Sequence, residues 1–304
     1  RGRVFRRGTQ PTPNYHPKQA VSAYLASGGD PQLAEDLRLV EGLKWQLGLL
    51  GNFDRMRATI ALATQYDVLI DSGLIDDATR RELRAQMALV AYQLADPATW
   101  SMERGYRSYN PNMSISYTLG LGVVACLLRD HPMSEKWLKP SMRMMRKCFD
   151  RYVTPHGEWL ESTAHYAHVS AGDLLSFAVA AKQAGYHDFF AEKAMQRLGR
   201  FLAQEYTPRD PRHYNRRATP PVGRGTAGMA WGHFGVFARA TEKIAPEFSA
   251  HMQWMWGETN YASGLVKMGG FQDLYGDRTL PERKPEWGTV RFPNVSVVFR
   301  NGLG

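Results

Sequence analysis

Through most of the chain, apolar residues return every three or four positions. Between Pro31 and Leu50 they are Leu33, Leu37, Val40, Leu43 and Leu47, which fall on one helical face. The same spacing predicts helices over 53–71, from Asp76 or Asp77 to about Leu94, and over 113–129, 133–152, 167–184, 188–205, 226–244 and 246–256. Either aspartate suits a helix cap, and Asp96-Pro97 is a stop. Period-two alternation is nearly absent between Gly51 and Ala203. The fold is therefore expected to be mainly α, built from antiparallel helix pairs. No crisp internal repeat marks a regular solenoid.

Three stretches depart from this pattern. Residues 1–30 are rich in Pro, Gly and Arg and read as an irregular lead-in. Thr207–Gly225 is a long, basic, proline-rich loop, the kind that is functional or disordered when it interrupts a compact domain. In Trp287–Arg300, Val295, Val297 and Phe299 alternate with Ser296, Val298 and Arg300, which predicts a strand. The expected organisation is a lead-in over 1–30, a helical domain over 31–286, and over 287–304 the start of a β-rich unit. A lone strand leaves its backbone unpaired. The tail is therefore expected to lie against the helical domain or to pair with a segment outside the given residues, in a longer protein.

Charge narrows the partners. Of 304 residues, 38 are Lys or Arg and 29 are Asp or Glu, giving a net charge of +9 and a pI near 9.6. Such a balance attracts anionic partners. The absence of any helix-turn-helix, zinc-finger or RNA-binding signature argues against nucleic acid. No apolar run of eighteen residues predicts a membrane span. Cys126 and Cys148 are too few for a disulfide framework and read as buried small hydrophobes. Nothing in the sequence sets an oligomeric state. Eight Trp and fourteen Tyr supply flat faces on which sugars stack, with Trp100, Trp159, Trp231, Trp254 and Trp256 as candidates, although such residues more often pack in a core.

Two segments concentrate chemistry. Tyr106–Tyr117, YRSYNPNMSISY, sets Asn110 and Asn112 at the entry of a helix. Gly157–His168, GEWLESTAHYAH, gathers Glu158, Trp159, Glu161, His165, Tyr166 and His168. Here the sequence resembles the heparinase II/III-like polysaccharide lyases, which include alginate and heparinoid lyases. In that family an Asn or His at a helix start precedes a catalytic Tyr by a similar distance to the 54 residues between Asn112 and Tyr166. The Tyr lies in a D-G-x-x-x-E-x-x-x-x-Y segment. Gly157, Glu161 and Tyr166 match it, while His156 stands where the Asp is usual. Arg217–Gly225, RATPPVGRG, is similar to the family's R-x-x-P-x-x-G-D loop, with Arg224 in the place of the Asp. FPNVSVVFRNG is similar to the first strand of its β-sandwich.

The resemblance covers roughly residues 100–304. It implies an (α/α) toroid followed by an antiparallel β-sandwich, and a secreted or periplasmic enzyme that cleaves a uronate-containing acidic polysaccharide by β-elimination. Asn112 would neutralise the uronate carboxylate, and Tyr166 would act as general base, general acid or both, with His165 beside it. Asn110, Trp159, Glu161, His168, Arg217 and Arg224 would contact substrate. The helical domain would need no cofactor, whereas the β-domain has room for a structural metal. Glu161, His165 and His168 share i, i+4, i+7 spacing, but without an H-E-x-x-H they are read as holding no metal.

The chemistry suits these residues. Removing the proton at C5 of a uronate builds charge on a group already negative, and a fixed amide or imidazole donor can take it up. A free Tyr has a pKa of about 10, so a base near neutrality needs donors or positive charge around it. The competing readings are an (α/α)-barrel glycoside hydrolase, which would want two carboxylic acids flanking the bond, and a non-catalytic binder of anionic glycans.

Overall fold

The computed structural model describes residues 17–48, 58–97, 111–161, 165–211, 215, 217–220, 232–262 and 275–300. These residues are mainly helical, with one small antiparallel sheet near the C-terminus. They divide into two compact units, one up to Ser141 and the other from Met142 onward. The expected 31–286 domain thus separates within a helix, beside Pro140.

The first unit holds α1 (Pro17–Ala26), α2 (Pro31–Asp36), α3 (Leu39–Leu47), α4 (Thr59–Ile70), α5 (Asp77–Ala95), α6 (Pro111–Leu127) and the start of α7 (Ser134–Arg151). The first helix corrects the irregular lead-in. Pro17 is tolerated at a helix start, and Ala20, Val21 and Tyr24 bury one face. The single helix expected over 31–50 is two, because Arg38 takes a left-handed conformation, φ 50°, between α2 and α3. Asp76, not Asp77, caps α5, its Oδ1 accepting the Thr79 N–H at 2.7 Å. That bond holds the Asp76 carboxyl below the usual range.

Helix α4 packs on α6 and α3, and Gln65 ties it to α3 by donating Nε2 to the Leu39 carbonyl at 2.9 Å. Helix α6 is buried almost all round, from Asn112 to Cys126 apart from Met113. Thr118 is satisfied within the helix, its Oγ1 donating to the Ser114 carbonyl at 2.6 Å.

The second unit holds the rest of α7, then α8 (Tyr166–Gln183), a 3₁₀ turn (Phe189–Ala191), α9 (Lys193–Gln204), α10 (Gly232–Thr241), α11 (Pro246–Gly257), β1 (Val290–Phe292) and β2 (Ser296–Val298). Helix α8 lies in its interior, with most positions from Ala167 to Ala181 buried. Helices α10 and α11 form a close pair. A Cβ on Gly235 would sit 2.7 Å from the Trp256 indole, so glycine permits the approach. Gly157 has φ +96° and lies where a Cβ would meet the Arg197 carbonyl at 2.3 Å.

The tail differs from a lone strand. β1 and β2 pair with each other, Val290 opposite Val298, and the hairpin is held to its own unit. Phe292 meets Phe201 edge to face at 4.9 Å. Asn294 bonds Glu158. Among the described residues, no helix is long and apolar enough to cross a membrane.

Candidate functional site

The expected catalytic Tyr opens α8. Tyr166 is its first residue and is half-buried, and the exposed ring of His165 meets it edge to face at 4.9 Å. His165 occupies the N-cap without supplying a side-chain cap. His168, one turn in, is buried at 5% exposure. It stacks on His233 of α10, with centroids 5.8 Å apart and planes 15° from parallel, and meets Tyr206 edge to face at 5.6 Å. None of the four nitrogens of His168 and His233 has a hydrogen-bond partner. Burial without a compensating carboxylate holds both rings neutral: the His168 pKa falls to about 3 and that of His233 lies well below the usual imidazole range.

Tyr206 leads from this cluster to the expected arginine. The adjoining Thr207 exchanges backbone and side-chain bonds with Ala218, and its carbonyl accepts from Arg217 Nη1 at 3.3 Å. Arg217 is 1% exposed and donates Nε to Glu258 at 3.0 Å, with its guanidinium over Trp254. Arg209 donates to the same carboxylate through two nitrogens. Burial pushes the Glu258 carboxyl up, but the two arginines outweigh it and hold it below its usual range. A second carboxyl behaves oppositely. Glu205, just after α9, is buried with no charge partner among the described residues, and its pKa rises to about 9.

Several expected contacts take structural roles instead. Trp159 is fully buried, stacked on Tyr152 at 5.4 Å, with Nε1 donating to Glu161 at 3.4 Å. With no exposed surface it offers no platform for a sugar. Trp256 is likewise core, donating Nε1 to the Ala262 carbonyl. Arg217 is committed to Glu258 and Thr207 rather than presented to solvent. Glu161 is half-buried. Glu158 is fully buried and accepts from Thr154 Oγ1 and the Asn294 backbone. Asn110, Arg224, Trp100 and Trp231 lie outside the described residues.

Asn112 belongs to the first unit. It is the second residue of α6, 2% exposed, and its Oδ1 has no hydrogen-bond partner. No group of three or more His, Cys, Asp or Glu among the described residues is arranged to hold a metal. His233, Tyr206 and Glu205 are the features missed in the sequence. Each is a single residue whose importance rests on contacts distant in the chain. No protein-family model matches the chain, and no curated protein matches it.

Proposed function

We propose that this chain is an exported polysaccharide lyase of (α/α)-toroid type that cleaves a uronate-containing acidic polysaccharide by β-elimination. One observation carries the reading. Asn112 and Tyr166, paired by their spacing, each occupy the first turn of a long helix, as second residue of α6 and first of α8. Helix starts bear partial positive charge from unpaired N–H groups. Negative charge develops in elimination on the uronate carboxylate and the leaving oxygen, so donors fixed at such positions would stabilise the transition state.

In this scheme the Asn112 amide donates to the carboxylate. The Tyr166 oxygen takes the C5 proton. The electron pair of the C5–H bond becomes the C4–C5 double bond as the C4–O bond breaks, and the departing oxygen collects a proton from Tyr166. His165, against the Tyr166 ring, would orient it. The hydrolase alternative needs two available carboxylic acids, yet Glu158 is locked to Thr154 and Asn294. A screen of uronate polymers with ultraviolet detection tests the proposal. Elimination yields a conjugated, absorbing product, whereas new reducing ends without absorbance would mean hydrolysis, and binding without cleavage would mean a glycan-binding module.

A further inference from the structure

The interior of the second unit holds four imidazole nitrogens with nothing to bond, two on His168 and two on His233. A neutral imidazole carries one donor and one acceptor, and each left dry costs about 1–3 kcal/mol. Four in one place make a polar cluster that the protein's own groups, among the described residues, leave unsatisfied.

The surroundings say what would satisfy it. His168 is the third residue of the 18-residue α8 and His233 the second of the 10-residue α10, 5% and 0% exposed. Helical side chains lean toward the N-terminus, so both rings project to the helix starts. Their 5.8 Å separation sets those starts side by side. First-turn N–H groups have no intrahelical acceptor, and His165 gives α8 no side-chain cap. Two positive helix ends oppose a cation and favour an anion. Among the described residues, the titratable groups that bear on the rings are His165 on His168 and His168 on His233, with Tyr206 at the edge of His168. No carboxylate of the chain is among them.

We propose that the first turns of α8 and α10, with His168 and His233, form a binding site for a compact carboxylate, which enters together with one proton. The proton settles on an imidazole nitrogen, and the imidazolium then donates to the carboxylate oxygen. One negative and one positive charge arrive together, so the buried site stays neutral overall. The proposal does not rest on the lyase reading.

Calorimetry on the full chain tests it, with sodium acetate as probe and sodium chloride at equal ionic strength as control. Titrations at pH 7 in two buffers of different ionisation heat count the protons. The expected result is saturable acetate binding with about one proton taken up, and affinity falling about tenfold per pH unit as protons become scarce. His168→Gln and His233→Gln should abolish it. Should either variant fail to fold, imidazole nitrogen NMR of the unaltered protein decides, because acetate must convert a neutral ring to a protonated one. Glucuronate run beside acetate separates the sources. Binding of both means that a bare carboxylate suffices, and binding of glucuronate alone means that a sugar carries it. No binding beyond the chloride control, or binding without proton uptake, overturns the proposal and leaves the pair to buried water.

Discussion

Asn294 donates its backbone N–H to Glu158 Oε1 at 3.1 Å, joining the turn of the C-terminal hairpin to a residue 136 positions earlier. The carboxylate is fully buried and also accepts from Thr154 Oγ1, while the Glu158 N–H returns to that hydroxyl at 3.1 Å. Glu158 is thus a clasp between the hairpin and the helices of the same unit. Glu158→Ala should lower stability by about 1–3 kcal/mol, because it strands two buried donors. Glu158→Gln should lose less, since its carbonyl still accepts from Asn294 and its amide can donate to Thr154. Urea unfolding measures both, and faster hydrogen exchange at Asn294 in the alanine variant would locate the loss. A Glu158→Gln variant with normal turnover would separate this role from carboxylic-acid catalysis.

Three buried groups with large shifts contribute strongly to the pH dependence of folding in chloride buffer. His168 and His233 have folded pKa values below the unfolded value of about 6.5. Below pH 6.5 the unfolded chain binds their protons and the folded one does not, so their contribution is present above that pH and is lost as pH falls. Glu205 has the opposite sign. Its folded pKa is raised to about 9, so its contribution is complete below the unfolded carboxyl range and is lost as pH rises toward 9. Each fully linked proton gives a slope of about 1.4 kcal/mol per pH unit. On the acid side two histidines outweigh one carboxyl, and on the alkaline side Glu205 acts without them. Stability should therefore peak near pH 6.5. Glu205→Gln should flatten the alkaline limb and His233→Gln the acid limb, as read from denaturation midpoints between pH 4.5 and 9.

The helical architecture was legible because it rests on local signals. Asp76 announces a cap, Pro246 opens a helix, and apolar spacing marks the buried faces. Pro17–Ala26 was hidden by the prolines, glycines and arginines around it. The break at Arg38 was hidden because a left-handed arginine leaves no compositional mark. The segment around Tyr166 stands out in the sequence as a motif, whereas a meeting of residues distant in the chain leaves no such mark. Nothing in GHFGVF says that His233 stacks on His168. Trp159 shows the converse, since a sugar platform and a core indole look alike until burial distinguishes them.

Arg217 and Arg209 share Glu258 but should differ in worth. The Arg217 side chain is 1% exposed and that of Arg209 is 43% exposed. Arg217→Ala removes a buried partner and a cation over Trp254, and should cost about 3 kcal/mol or more. Arg209→Ala breaks a solvent-screened pair and should cost under about 1 kcal/mol. Thermal and urea unfolding of the two variants checks the order. Similar losses would mean that Glu258 is satisfied by either arginine alone.

The lyase proposal turns on Asn112 and Tyr166, and their substitutions should fail in different ways. Tyr166 is half-buried, so Tyr166→Phe removes one hydroxyl and should leave the unfolding temperature nearly unchanged. If the phenol moves the proton, the rate of elimination should still fall by about a hundredfold or more, in kcat rather than KM. Asn112 is 2% exposed, and alanine there leaves a small cavity, so Asn112→Ala should cost some stability as well as activity. Asn112→Asp nearly keeps the shape but sets a carboxylate where charge must be neutralised. It should be at least as inactive as the alanine variant, at roughly 10²–10³-fold below the unaltered protein. The measurement is the initial rate of ultraviolet absorbance on the uronate polymer that the screen identifies, per folded molecule. An Asn112→Asp variant that eliminates at the normal rate would remove Asn112 from the chemistry, and an active Tyr166→Phe variant would remove the proposed base.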